Sequence, residues 1–164
     1  YPLPEAQLDR FFFKLKVRYP SVDDLHKILD RTTQPEEPTV DRVLDGPQIL
    51  AMRKTSRAIP ISKPVQEYAI QLTLATHPGS PHAHNDVQQF IRYGASPRGA
   101  QALVLGGKIR ALLNNRVHVS GEDIRAMVLP ALRHRLLLNF EGEAEQIDPD
   151  TMLEKILNNT PEPS

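Results

Sequence analysis

The stretch Gly94-Ala-Ser-Pro-Arg-Gly-Ala100 marks the start of the long helix around which this chain is built. Ser96 is a favoured N-cap residue, and Pro97 suits the first helical position because an N–H there would have no intrahelical partner. Arg98 then lies in the first turn. Apolar side chains recur at helical spacing to about residue 116, at Ala100, Leu103, Val104, Ile109, Leu112 and Leu113. The stretch therefore predicts a long, broadly apolar helix with an arginine at its N-terminus.

Capping patterns elsewhere in the chain predict the other helices. Ser21 is followed by Asp24, and Ser120 is followed by Asp123, which is the spacing of a capping box. We expect Pro130 to kink or restart the helix that contains it. The remaining predicted helix starts are Asp45 with Pro47, Ser62, and Asp148 with Pro149. The sequence thus predicts about five or six helices, and the fold class is mainly α.

Residues 11–19 alternate in the way that a strand does. The odd-numbered positions from 13 to 19 are apolar or aromatic, and the even-numbered positions between them are basic. A lone strand is not stable, and no second good strand is visible, so we expect its partners to lie outside this chain. Residues 34–39 are rich in Pro and Glu, which is typical of a linker.

The composition limits the classes of protein to which the chain can belong. Of the 164 residues, 40% are apolar, but only 5% are aromatic, and neither Trp nor Cys occurs. Without Cys there are no disulfides or thiolate metal sites, which is compatible with a reducing cytoplasm. The formal net charge of zero argues against a dedicated nucleic-acid binder. No apolar run reaches the ~20 residues of a membrane helix. No signal peptide is visible, and the chain opens at Tyr1 without an initiator Met, so we expect Tyr1 to follow a domain cut.

Several catalytic patterns are absent from the sequence. There is no Gly-rich loop followed by Lys and Ser or Thr, the pattern that cradles nucleotide phosphates. No apolar run ends in an acidic pair suited to Mg²⁺, and the spacing suggests no Ser-His-Asp or paired-carboxylate site. We therefore expect that this chain alone does not hydrolyse a nucleotide.

A polar loop over residues 78–89 follows His77 and contains His82 and His84. Histidines at this density suggest zinc, but the loop has no Cys and offers only Asp86 as a nearby carboxylate. We expect a flexible loop without a metal ion.

Five segments of the chain carry a family resemblance. They are Tyr1-Pro-Leu-Pro-Glu-Ala-Gln-Leu-Asp-Arg-Phe11, Tyr19-Pro-Ser21, Gly94-Ala-Ser-Pro-Arg-Gly-Ala100, Val117-His-Val-Ser-Gly-Glu-Asp-Ile124 and Leu132-Arg-His-Arg-Leu136. In order and spacing they closely resemble the MoxR family of AAA+ ATPases, from just after its first sensor position to its C-terminal lid. The resemblance covers nearly the whole chain, and the loop after His77 matches only as a variable insertion.

The resemblance implies a chain in two parts. Residues 1–38 would be the C-terminal remnant of the AAA+ core, with its last strand, a helix and the linker, and residues 39–164 would be the helical lid domain. The parent protein would be a cytoplasmic, chaperone-like ATPase that uses ATP and Mg²⁺ to remodel or activate other proteins. Its partners would be the missing ATPase core, neighbouring subunits of a hexameric ring, and proteins with von Willebrand factor A domains. The fragment itself would be inactive and would bind nucleotide weakly at most.

Arg10 matches the arginine-finger position of the family. The resemblance implies that its guanidinium reaches the γ-phosphate bound by a neighbouring subunit and offsets the charge that develops during phosphoryl transfer. The alternative is a surface arginine paired with Asp9 or Glu5, as residue type alone would favour.

Arg98 matches the second sensor arginine of the family. Ser96 and Pro97 start its helix, where free backbone N–H groups and the helix dipole favour an anion, so Arg98 with these two residues is the candidate site for ATP phosphate. The alternative is an exposed first-turn arginine without a role. Gly99 follows where many relatives carry Ala, a departure that we expect to loosen the turn while leaving the arginine in place.

Arg133, His134 and Arg135 form a basic cluster near the predicted end of their helix. One interpretation is a contact with another subunit or with the ATPase core. The other, which the sequence favours, is ordinary stabilisation of a helix C-terminus by positive charge.

Two other classes of function stay open at the level of sequence. A nonenzymatic interaction module could share the lid architecture, and it would need neither Arg10 nor Arg98. A helical nucleic-acid binder is the second alternative, which a salt-dependent gel shift with duplex DNA would support. Hydrolysis assays on parent protein lacking either arginine would separate the ATPase from the module.

Overall fold

The computed structural model describes residues 3–35 and 39–163, which are mostly helical, as the sequence predicts. The elements in chain order are α1 (Glu5–Leu8), α2 (Val22–Thr32), α3 (Gly46–Ala58), α4 (Lys63–Leu74), α5 (Asn85–Phe90), β1 (Ile91–Tyr93), α6 (Pro97–Leu113), α7 (Gly121–Leu132), β2 (Leu137–Leu138), α8 (Phe140–Ala144) and α9 (Pro149–Asn159). Two compact units result. The larger comprises the described residues up to position 14 and those from position 54 onward, and the smaller comprises residues 15–53. Among the described residues, no helix combines the length and apolar content needed to span a bilayer.

The capping signals placed the helix starts correctly. The Ser21 hydroxyl accepts the backbone N–H of Asp24 at 3.2 Å, and the Asp24 carboxylate accepts the N–H of Ser21, which completes the predicted capping box of α2. The same reciprocal arrangement starts α7 at Ser120 and Asp123. Local hydrogen bonds of this kind depend on residues three apart in sequence, so the sequence alone can reveal them.

The core of the larger unit lies among α4, α6, α7 and α9. Its fully buried side chains come from all four helices and include Leu72, Leu103, Ile124, Val128, Leu132, Leu153 and Ile156. The glycine pair of α6, Gly106 and Gly107, allows α7 to approach closely, because a Cβ on Gly106 would lie only 2.8 Å from the Met127 sulfur. Gly99 makes a second close approach, where a Cβ would lie 2.9 Å from a methyl group of Leu132. Gly99 therefore allows α6 to pack closely on α7.

A two-stranded antiparallel sheet, which the sequence did not predict, fixes the entrance to α6. Ile91 of β1 lies opposite Leu138 of β2, and the register is irregular at Tyr93, which lies opposite Leu137. The short helices α5 and α8 flank the pair and were also missed, because α5 falls in the segment read as a polar loop. The sheet brings the residues before α6 next to those that follow α7.

The prediction of a strand at residues 11–19 is wrong for this structure. Residues 13–20 adopt no regular secondary structure, and Val17 and Tyr19 are almost fully exposed. The physical reason is the one that makes any lone strand unstable: the ladder hydrogen bonds need a partner strand, and the described residues supply none here.

The smaller unit lacks a core of its own. It holds α2 and the first part of α3, and none of its described residues is buried. Its exposed apolar side chains include Leu15, Val17, Val22, Leu29, Val40, Val43, Ile49, Leu50 and Met52. The predicted linker and the predicted domain boundary after residue 38 fall in part on residues 36–38, outside the described residues, so both stay predictions.

Gly94 occupies the turn between β1 and α6 for a steric reason. A Cβ at this position would lie 2.6 Å from the carbonyl oxygen of Thr76. Because backbone cannot yield as a flexible side chain does, we expect Gly94→Ala to lower the free energy of unfolding by about 2 kcal/mol. Urea denaturation measures this loss. Gly46→Ala is the matched control, since nothing lies within 4 Å of its added Cβ, and equal midpoints for the two variants would contradict this account.

Candidate functional site

Arg98 lies where the sequence placed it, in the first turn of α6. Ser96 is the N-cap, and its hydroxyl accepts the backbone N–H of Arg98 at 3.2 Å. Pro97 occupies the first helical position and is exposed. The Arg98 side chain is 51% exposed to solvent, so the guanidinium lies at the surface rather than in the core.

The carboxylate of Asp9 joins the start of α6 to the segment after α1. Arg98 Nη1 donates to one carboxylate oxygen at 3.0 Å, and Arg135 Nε donates to the other at 3.0 Å. The Ser96 hydroxyl lies 2.9 Å from both oxygens and donates to the carboxylate. The Asp9 carboxylate therefore accepts hydrogen bonds from two guanidinium groups and a hydroxyl. Asp9 directly precedes Arg10 in the chain.

Arg135 is the buried anchor of this cluster. Its side chain is only 2% exposed, and its guanidinium donates to the Asp9 carboxylate and also to two backbone carbonyls, at 2.9 Å for Asp9 and 2.8 Å for Phe11. It also donates to the carbonyl of Ala131 at the end of α7. A planar guanidinium with five N–H groups suits this task, since it can satisfy several acceptors in one plane.

The two residues before Arg135 extend the same attachment. Arg133 donates to the carbonyl of Lys14 at 3.0 Å, and His134 Nε2 lies 3.0 Å from the carbonyl of Phe11, which makes that nitrogen the protonated one. The Lys14 N–H donates to the carbonyl of Pro130 at 2.9 Å. The basic cluster therefore holds residues 9–14 against the end of α7. Simple stabilisation of a helix C-terminus, the interpretation that the sequence favoured, does not describe these contacts.

Arg10 takes no part in this network among the described residues. Its side chain is exposed, and it forms no ion pair with any residue that the structure describes. The alternative pairing with Asp9 is not observed, because the Asp9 carboxylate binds Arg98 and Arg135 instead. The Arg10 guanidinium is therefore available to a group from outside this chain.

Electrostatics hold Asp9 as a charged carboxylate and His134 as a neutral ring. Burial raises the pKa of Asp9, but hydrogen bonds from Arg98, Ser96 and Arg135 outweigh burial and hold the pKa below its usual range. Burial lowers the pKa of His134, which favours the neutral ring at physiological pH. The carboxylate is thus charged, whereas the imidazole serves as a neutral hydrogen-bond donor.

The histidines of the 78–89 region have separate structural roles. His77 Nε2 lies 2.8 Å from the carbonyl of Ala95, and His84 caps α5 through the backbone N–H of Asp86. Within residues 3–35 and 39–163, no three potential His or carboxylate ligands converge on one point. The region also contains α5, so it is more ordered than the flexible loop that the sequence suggested.

Sequence reasoning missed Asp9 and Arg135 as members of the site. The sequence suggested Asp9 only as a possible partner of Arg10, and it suggested Arg135 only as part of a basic cluster. The signal for Asp9 was its place directly before Arg10 in the N-terminal motif. For Arg135 no local signal exists, because its contacts with Asp9 and Phe11 join residues more than a hundred positions apart.

Comparison with known proteins relates the chain to one group. Residues 83–156 match the family model of the AAA lid domain. The chain is 30% identical to the chaperone MoxR1 of Mycobacterium tuberculosis over 96% of its own length and 41% of that protein. It is 28% identical to the protein MoxR of Methylorubrum extorquens over 99% of its own length and 51% of that protein.

A solved structure agrees with these relatives. A candidate ATPase from Cytophaga hutchinsonii superposes with a TM-score of 0.92 at 32% identity, covering 100% of this chain and 50% of that one. The chain thus spans about half the length of the relatives that it matches.

Proposed function

We propose that this chain makes a parent ATPase responsive to nucleotide. The premise is that the chain belongs to the MoxR family of AAA+ ATPases, with its AAA lid domain at residues 83–156. Arg98 contacts the phosphate of the nucleotide bound by its own subunit, and Arg10 contacts the nucleotide of the next subunit in a ring. ATP and Mg²⁺ are held by the core of the parent protein, and the fragment alone is inactive.

The observation that carries this proposal is the placement of Arg98. Its guanidinium is half exposed at the start of a 17-residue helix, where the positive end of the helix dipole adds to its attraction for an anion. An arginine in the first helical turn opposes the dipole, so its presence there needs a reason beyond helix stability. A phosphate group supplies that reason, since Arg and phosphate form strong charge-assisted hydrogen bonds.

The smaller unit supports the idea of a missing ATPase core. Its apolar side chains are exposed along α2 and α3, including Leu29 and Leu50. Soluble proteins seldom leave so many apolar groups of one region uncovered unless another surface packs on them. The rest of the nucleotide-binding core is the partner that we propose for these residues. Residues 13–20, which have no regular secondary structure in this chain, would then find strand neighbours there.

The name of one relative supports the chaperone-like part of a wider role. One of them is described as a chaperone, and we propose a chaperone-like remodelling or activation of partner proteins, including ones with von Willebrand factor A domains, by a cytoplasmic hexameric ring. ATP binding and hydrolysis would change the angle of the lid through Arg98. The change would then act on the partner bound to the ring.

Replacing Arg98 by alanine in the parent protein tests the proposal. We expect ATP to bind about tenfold more weakly, because a charge-assisted hydrogen bond to phosphate is lost. Equilibrium titration with a fluorescent ATP analogue measures the change. Arg92→Ala is the control, since Arg92 is an exposed arginine that lies over the ring of Tyr93. Unchanged binding and hydrolysis in the Arg98 variant would instead support a nonenzymatic interaction module.

A further inference from the structure

Two arginines share the carboxylate of Asp9, but only one of them is fixed. Arg135 is 2% exposed and Arg98 is 51% exposed, measured on their side chains. Arg135 also donates to the backbone carbonyls of Asp9 and Ala131. By contrast, Asp9 is the only side chain among the described residues to which Arg98 is seen to donate. Arg98 can therefore turn away without disturbing other contacts, and Arg135 cannot.

Asp9 remains satisfied when Arg98 leaves. The Arg135 Nε at 3.0 Å and the Ser96 hydroxyl at 2.9 Å still donate to its carboxylate. A half-buried charge is costly only when it loses all its partners, and here two of the three donors stay. The arrangement thus has two acceptable states, with Arg98 either on Asp9 or on another anion.

We infer that Asp9 is a positioning residue that competes with nucleotide phosphate for Arg98, an inference that rests on the function proposed above. Without nucleotide, Arg98 stays on the carboxylate. When the phosphate arrives, its several charged oxygens outcompete a single carboxylate that Arg135 already neutralises, and Arg98 transfers to it. Because Asp9 directly precedes Arg10, the transfer removes one of the hydrogen bonds that hold the segment bearing Arg10 to the start of α6.

This competition links the two nucleotide contacts of one subunit. The subunit's own nucleotide would draw Arg98 away from Asp9. The segment bearing Arg10 would be affected because it contains that carboxylate. The remaining ties, from Arg135 and from the Lys14 N–H to Pro130, keep the segment attached while that one contact changes. Nucleotide binding would therefore shift the segment bearing Arg10 locally and would not detach it.

The test is ATP binding by the Asp9→Asn parent protein. Removing the competing charge should tighten the Kd for a non-hydrolysable ATP analogue about threefold, the size expected of one exposed ion pair. Glu5→Gln is the matched control, because Glu5 is an exposed carboxylate one turn earlier in the same segment, and we expect no tightening there. In an Arg98→Ala background, Asp9→Asn should have no effect.

Two outcomes would overturn the inference. One is unchanged or weaker binding by Asp9→Asn, and the other is a tightening that persists without Arg98 or that Glu5→Gln reproduces. If Arg98→Ala itself leaves binding unchanged, the proposed function fails as well, so the two failures are distinguishable.

A second measurement does not need the Asp9 variant to fold. In Arg10→Ala protein, which cannot contact the neighbour's nucleotide through the finger, we expect the ATP analogue to speed amide exchange in residues 9–11. Their amides donate to carbonyls of α1 at 3.0 to 3.1 Å, and the loss of the Arg98 tie should loosen them. Unchanged or slower exchange would overturn the inference.

Discussion

Parent protein with Arg10 replaced by alanine is expected to bind ATP normally and to hydrolyse it about a thousandfold more slowly or worse. The guanidinium is exposed and without an ion-pair partner among the described residues, so its loss should leave the fold intact. What it removes is positive charge beside the neighbour's γ-phosphate, which matters most as charge develops in the transition state. Steady-state hydrolysis and analogue binding, measured on the same sample, separate the two effects.

The control for this prediction is another exposed arginine. Arg92→Ala removes a surface guanidinium that lies 5.1 Å from the ring centre of Tyr93, and hydrolysis should stay within about twofold of wild type. Hydrolysis by the Arg10 variant at the rate of the Arg92 variant would exclude Arg10 as the finger. The assignment of the N-terminal segment to an ATPase core would then lose its functional support.

Arg135→Met is expected to have the largest effect on stability, a loss of about 3 kcal/mol in the free energy of unfolding. Methionine fills a similar volume, but it leaves the Asp9 carboxylate without its buried partner, the Asp9 carbonyl without its donor and the Phe11 carbonyl with only His134 as donor. Removing one member of a buried ion pair costs more than the pair itself contributes. Urea denaturation of the chain measures the loss.

The location of this effect is as diagnostic as its size. The first structure lost should be the attachment of residues 9–14, so the amide of Lys14, which donates to Pro130, should exchange faster in the variant under native conditions. Arg92→Met is the control, with an expected loss under about 0.5 kcal/mol. A similarly small loss for Arg135→Met, with the Lys14 amide still protected, would refute the role of Arg135 as the anchor.

The sequence could predict what depends on near neighbours along the chain. Ser21 with Asp24 and Ser96 with Pro97 specify helix starts through contacts three or fewer residues apart. Such features are fixed by local stereochemistry, which tertiary packing rarely overrides.

The cluster around Asp9 could not be predicted in the same way. Its ion pair with Arg135 joins residues 126 positions apart, and its bond to Arg98 spans 89. The alternation in residues 11–19 failed for the opposite reason, since the local pattern fits a strand but the partner strand is not supplied by the described residues. Burial of Arg135 was likewise invisible, because an arginine after a helix is usually a surface residue.

The central claim is that Arg98 serves its own subunit's nucleotide whereas Arg10 serves the neighbour's. Mixing Arg10→Ala protein with Arg98→Ala protein tests it directly, because a junction between the two kinds of subunit contains one intact Arg98 and one intact Arg10. The account predicts that, when ATP is well below the weakened Kd of the Arg98 variant, each variant alone hydrolyses ATP at least about tenfold more slowly than wild type, and that an equal mixture regains hydrolysis at roughly a quarter of its junctions. A mixture that stays as inactive as its components, although the two variants assemble together, would contradict it.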